Sequence, residues 1–191
     1  MSLAIALNVE ALALTDEQFF QLCADNRELR FERSATGALT IMSPTGGETG
    51  NRNGRLTQQL FNWSDLDGTG IAFDSSTGFH LPNGADCSPD AAWMLLSRWQ
   101  TLTPQQQTRF VPLCPDFVVE LLSPSDNLAT TQAKMQEYMA SGARLGWLIN
   151  RRDRRVEVYR PHETFVTLDG PGMLSGDPIL SGFSLDLQYI W

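Results

Sequence analysis

The sequence predicts an α/β fold, a mixed β-sheet flanked by helices with additional β-hairpins. Two apolar runs carry most of this expectation. Phe117 to Leu122 ("FVVELL") and the "RLGWLIN" segment have strand length and enough apolar side chains to be buried on both faces. Between them, Asp126 to Ser141 reads as a helix with Gly142 at its C-terminal cap, so the three elements form a βαβ unit with two parallel central strands. The earlier strands are short and fall on either side of turn residues, which makes hairpins of them.

The elements are justified in chain order. Thr15 and Gln18 have capping-box spacing and open a short helix, "TDEQFFQLC". "ELRFER", "SATG" and "ALTIM" read as strand, turn and strand. Thr45 and Glu48 repeat the capping-box spacing before Leu56, Leu60 and Trp63, which fall on one helical face. After the turn-rich "SDLDGTG" come the strands "IAFD", "GFHL" and, beyond the "LPNGADCSP" bend, "DAAWMLL". "TPQQQTRF" is a short helix, and "SPSD" breaks the strand that ends at Leu122. "RRVEVYR" and "TFVTL" form an edge hairpin in which Val156 and Val158 alternate with polar residues. No repeat or linker interrupts the chain. Residues 1–191 therefore read as one domain, with a helix and hairpin over about 15–42, a core over about 45–150 and a hairpin and tail over about 151–191.

Composition excludes several function classes. The apolar stretch "LAIALNVEALAL" lacks a basic flank and is interrupted by Asn8 and Glu10, so it is not read as a signal peptide. No segment has the length of a membrane span. Cys23, Cys87 and Cys114 are odd in number and form no CxxC pair, which suggests buried thiols in a reducing, cytoplasmic setting. Two histidines exclude a His-rich metal site, and no P-loop or GxSxG elbow is present. A net charge of −8, from 14 basic and 22 acidic residues, argues against electrostatic coating of nucleic acid while leaving room for a local basic groove.

Glu120 stands out because it is a carboxylate inside an apolar strand, where an unpaired charge is costly. Asp116 lies on the same face but about 13 Å along the strand, too far to share a cation with it. Asp90 is the better partner, since it follows Pro89 at a bend and opens the apolar strand "AAWMLL". Two such carboxylates with nearby carbonyls make the oxygen-rich half-cage that Mg²⁺ accepts. The alternative is a structural ion pair between Glu120 and an arginine such as Arg144. Lys134 is the chain's only lysine. At about 100° per residue, Leu128, Met135 and Met139 centre the helix's buried stripe, with Tyr138 beside them. Lys134 falls about 40° beyond Tyr138, from where its ammonium can reach Glu120. It reads either as a solvated helix residue or as a water-positioning cation, whose loss should leave the fold intact. Glu48 reads first as a capping residue, and "RRDRR" as a solvated turn.

"SPDAAWM", "PDFVVELLSPSD" and "KMQEYMASGARLGWLIN", with "IMSPTGGE", "GFHLPNG" and "LSGFSLDL", resemble the Uma two family of restriction endonucleases, a branch of the PD-(D/E)XK nuclease superfamily. The resemblance implies a restriction-endonuclease-like fold and a phosphodiesterase site dependent on Mg²⁺ or Mn²⁺. It matches Asp90 to the metal-binding aspartate and Glu120 to the acidic residue of (D/E)XK. Leu122 stands where that motif has lysine, and Lys134 on the following helix takes its place. Glu48 matches an acidic residue of the first core helix, and Thr49 stands where many relatives have histidine. The implied partner is nucleic acid, with DNA expected, and a homodimer is implied by analogy with nucleases that cut both strands. A catalytically silent relative that binds nucleic acid or protein is the alternative.

Overall fold

The computed structural model describes residues 5–124 and 126–191. Met1 to Ala4, where the first apolar stretch begins, and Ser125, inside the "SPSD" break, lie outside it. In chain order the elements are β1 (Ile5–Leu7), α1 (Asp16–Asp25), β2 (Arg30–Arg33), β3 (Leu39–Met42) and α2 (Gly47–Asp67). β4 (Gly70–Asp74), β5 (Phe79–His80), β6 (Asp86–Cys87) and β7 (Ala91–Leu95) come next, then the short helices α3 (Leu96–Trp99) and α4 (Pro104–Gln107). The βαβ unit is β8 (Phe117–Leu122), α5 (Leu128–Ala140) and β9 (Leu145–Asn150). β10 (Arg155–Tyr159), β11 (Val166–Asp169), β12 (Met173–Ser175) and β13 (Ser184–Asp186) complete the chain.

The central sheet has the order β11-β10-β9-β8-β7-β4. Only β8 and β9 are parallel within it, with Glu120 opposite Leu148, as expected for strands joined by a crossover helix. A second sheet, β1-β3-β2-β6-β5, is hydrogen-bonded separately but shares a core with it, and β12 and β13 form a small hairpin. The sequence reading missed β1 and the β12–β13 pair, which are three-residue strands with too little periodicity to stand out.

Alternation along β8 sorts its side chains between two cores. Phe117, Val119 and Leu121 pack with Leu56 and Leu60 of α2, Trp147 of β9 and Phe183. Val118 faces the other way, with Met135 and Tyr138 of α5 and Leu148 of β9. Each fully buried large apolar side chain contributes about 1.5–3 kcal/mol. Glu120 is in phase with Val118, so the same alternation turns it toward α5.

Local signals explain most boundaries. Thr15 and Gln18 form the expected capping box on α1, and Thr103 and Gln106 form another on α4. Asn127 caps α5 by accepting the Thr130 amide. The Thr45–Glu48 capping box does not form, because α2 starts later, with Gly46 as its cap and no side-chain cap bond. Leu128 also departs from expectation. As the first residue of α5 it is 36% exposed, whereas Met135 and Tyr138 are fully buried. One close approach lies between α5 side chains and the sheet. A Cβ at Gly146 would lie 2.5 Å from Met135 Cε and 3.0 Å from Met139 Cε, so the glycine lets the helix rest directly on β9.

Candidate active site

β7 runs antiparallel to β8 with Ala91 opposite Val119, which brings the preceding residue, Asp90, level with Glu120. The Asp90 carboxylate turns toward β8. Its Oδ2 accepts the Leu121 amide at 2.8 Å, and its Oδ1 accepts Asn53 Nδ2 of α2 at 2.7 Å. Asp90 is therefore fixed from two sides, by the neighbouring strand and by the long helix. Burial raises its pKa, while the Leu121 amide, Asn53 and the charge of Lys134 oppose that rise.

Glu120 is 8% exposed. Its Oε1 accepts Lys134 Nζ at 2.9 Å and the Tyr138 hydroxyl at 3.1 Å. Both donors come from α5 at positions i and i+4, which share one helix face. Both bonds fall on Oε1. Burial pushes the Glu120 carboxyl up to about 7, against the pull of the Lys134 charge. Burial alone would lower the Lys134 pKa, but the charges of Glu120 and Glu32 outweigh it and hold the ammonium well above its usual value. Lys134 is thus held as a cation. The Tyr138 hydroxyl is held protonated by burial and by the adjacent Glu120 charge.

The second carboxylate on Lys134, Glu32 of β2, is absent from the sequence-predicted set. Its Oε1 lies 2.7 Å from Nζ and also accepts the Ser88 amide at 2.8 Å. It belongs to the second sheet, so the cluster of Glu32, Lys134, Glu120 and Tyr138 spans both sheets. Asn53 is likewise absent from that set. Neither residue carries a local signal. Glu32 sits in an alternating hairpin strand 102 residues from its lysine, and Asn53 in a polar helix segment.

The remaining predicted residues are placed elsewhere. Glu48 is exposed and pairs with Arg52 at 2.6 Å and Arg151 at 3.1 Å; it has no hydrogen bond to Asp90 or Glu120. Arg144, the alternative partner for Glu120, instead approaches Asp116 at 3.9 Å. Asp116 is also held by Arg98 at 3.0 Å and by the Leu95 amide. Leu122 is partly buried and packs against the core on the α5 side, in agreement with an apolar residue there. The three cysteines are free thiols, Cys87 and Cys114 buried and Cys23 half-buried.

The donor set suits a divalent cation by charge and chemistry. Asp90, Glu120 and Glu32 carry three negative charges if all are ionised, and among the described residues Lys134 is the cation paired with Glu120 and Glu32. Asp90 and Glu120 offer hard oxygen ligands of the kind Mg²⁺ and Mn²⁺ accept alongside water. Among the described residues no group of three or more His, Cys, Asp or Glu side chains is arranged to hold a metal ion, so a cation on Asp90 and Glu120 would need water or backbone oxygens as further ligands. No helix among the described residues is long and apolar enough to cross a membrane.

Residues 16–188 match the model of a family, Uma2, described as "Putative restriction endonuclease". Among solved structures, the chain is similar to a protein of Anabaena variabilis described as a "putative nuclease belonging to DUF820". The TM-score is 0.69 at 18% identity, covering 84% of this chain and 88% of that one, which is a likeness of fold. No curated protein matches the chain.

Proposed function

The chain belongs to the Uma2 family, and from that premise we propose that it is a metal-dependent endonuclease hydrolysing nucleic-acid phosphodiester bonds at a centre formed by Asp90, Glu120 and Lys134. The observation that carries this reading is the contact of Lys134 Nζ with Glu120 Oε1 at 2.9 Å, beside an Asp90 bonded to the next residue of the same strand. Asp90 and Glu120 would hold the Mg²⁺ or Mn²⁺. Such a cation supplies Lewis acidity to a phosphoryl oxygen and makes water a better nucleophile.

The chain's own residues do the rest. Asn53 and the Leu121 amide fix the Asp90 carboxylate, and Tyr138 fixes Glu120. An ammonium has three N–H donors. Lys134 places donors toward Glu32 and Glu120, which leaves it one for the attacking water or a phosphoryl oxygen. Because Lys134 stays protonated, its part is positioning and charge stabilisation. Glu48 contributes at the rim, by holding Arg52 and Arg151. DNA as substrate, a homodimer that pairs two centres on a duplex, and a cytoplasmic location belong to the same proposal.

A second reading, a catalytically silent nuclease-fold module that binds nucleic acid or protein, is favoured by one observation. Glu120 Oε1 is already taken by two donors, as a purely structural carboxylate would be. Incubation with plasmid and single-stranded DNA in Mg²⁺ or Mn²⁺ separates the two. Nicking that EDTA and Asp90→Ala both abolish is the expected result. Binding without cleavage under every metal condition would support the silent module instead. Light scattering with and without a short duplex measures the oligomeric state.

A further inference from the structure

Arg30 lies on the approach to Asp90. In the second sheet β2 runs antiparallel to β6 with Arg33 opposite Asp86. Extending that register brings Glu32, Phe31 and Arg30 alongside Cys87, Ser88 and Pro89, the residues that lead into Asp90. The bond from the Ser88 amide to Glu32 Oε1 shows that the two chains stay together beyond the last ladder pair. Strand alternation then puts Arg30 on the face of β2 that carries Glu32, about 7 Å farther along.

This arginine is exposed and has no carboxylate within ion-pair distance among the described residues. Arg33, Arg52, Arg98 and Arg151 each spend their charge on an acidic neighbour. An unpaired guanidinium is a planar fork suited to two phosphate oxygens. On a chain of net charge −8, a cation left free on the strand beside the segment leading into Asp90 can draw a polyanion in.

We propose that Arg30 binds a backbone phosphate of the nucleic-acid strand lying across the Asp90–Glu120 centre. This rests on the reading of that centre as a phosphodiesterase. Arg30 then sets where the strand lies, and Lys134 and the carboxylates act on the phosphate brought before them.

Arg160 provides a matched control, since it comes after β10 at the end of the sheet where β9 begins, opposite the end that carries Glu120. The experiment is fluorescence anisotropy of a labelled single strand and a labelled duplex, with Ca²⁺ replacing Mg²⁺, across a salt series. Arg30→Ala should weaken binding about tenfold and lower the slope of log affinity against log salt by about one. Arg30→Lys should keep that slope, and Arg160→Ala should remain within about twofold of wild type. Equal losses for Arg30→Ala and Arg160→Ala, in a protein whose wild type cleaves DNA, would overturn the Arg30 assignment alone. A wild type that neither binds nor cleaves would overturn the endonuclease reading and this proposal together.

Discussion

Lys134 Nζ lies 2.9 Å from Glu120 and 2.7 Å from Glu32, so one ammonium joins carboxylates carried by two different sheets. A contact of this kind holds tertiary structure as well as charge. It therefore changes what a mutation at Lys134 is expected to do.

Lys134→Ala should destabilise the protein, contrary to the expectation from sequence that the fold would be untouched. Removing one partner of a buried ion pair costs about 3–5 kcal/mol, because the remaining charges are left uncompensated. Urea unfolding at pH 8 should show a loss of that order, smaller at pH 5 where Glu120 takes up a proton. Lys134→Arg should keep most of the stability but lose roughly 100-fold in cleavage, since a planar guanidinium cannot place its donors as the ammonium does. Cleavage by Lys134→Arg at the wild-type rate would remove Lys134 from the catalytic set.

The pH dependence of metal-free stability should carry the signature of Glu120. Its folded pKa is raised to about 7 from the ordinary 4.5, so the folded state binds the proton more tightly than the unfolded state. The stability from that proton is fully present below pH 4.5 and is lost as pH rises through about 7. The loss is on the order of 3 kcal/mol, from about 1.4 kcal/mol per pH unit. Glu120→Gln should flatten the stability curve over this window. An unchanged slope in the variant would assign the titration elsewhere.

Divalent cations should stabilise the folded protein most where Glu120 is already ionised. At pH 8, Mn²⁺ at 100 times its dissociation constant should add about 2.7 kcal/mol. Asp90→Asn should remove that gain in a thermal-shift titration, while metal-free stability at pH 5 changes little. Retention of the full Mn²⁺ shift by Asp90→Asn would place the cation elsewhere.

Tyr138→Phe tests the hydroxyl alone. It removes one donor to Glu120 Oε1, which should cost about 1 kcal/mol and raise the Glu120 pKa further. Carbon-detected NMR of the glutamate carboxyls reads that midpoint directly. An unmoved midpoint would show that the hydroxyl does not support the charged form of Glu120.

The parts of this cluster legible in sequence are those with an anomaly in their own element. Glu120 interrupts an apolar strand, and Lys134 sits beside a buried stripe. Asp90 opens a strand after a proline bend, and strand pairing alone then sets it level with Glu120. Glu32 breaks no local pattern, because "RFER" is an ordinary alternating strand. Only the packing of the second sheet against α5 brings it to Lys134. The Thr45–Glu48 spacing misled because a capping box needs a helix that starts at Thr45, and the glycines after it let the chain delay that start. Leu128 misled because angular position ignores how far along the helix a residue lies.

Gly146 gives this arrangement its ruler. It sits on β9 with no side chain to offer the chemistry, and the bare backbone there lets Met135, the residue after Lys134, settle against the sheet. A methyl group at that point would meet the ends of the Met135 and Met139 side chains, which would have to swing aside. Flexible thioether ends can yield in this way without moving the helix backbone that carries Lys134. The packing beside the candidate cluster is thus partly set by a residue that touches none of its charges.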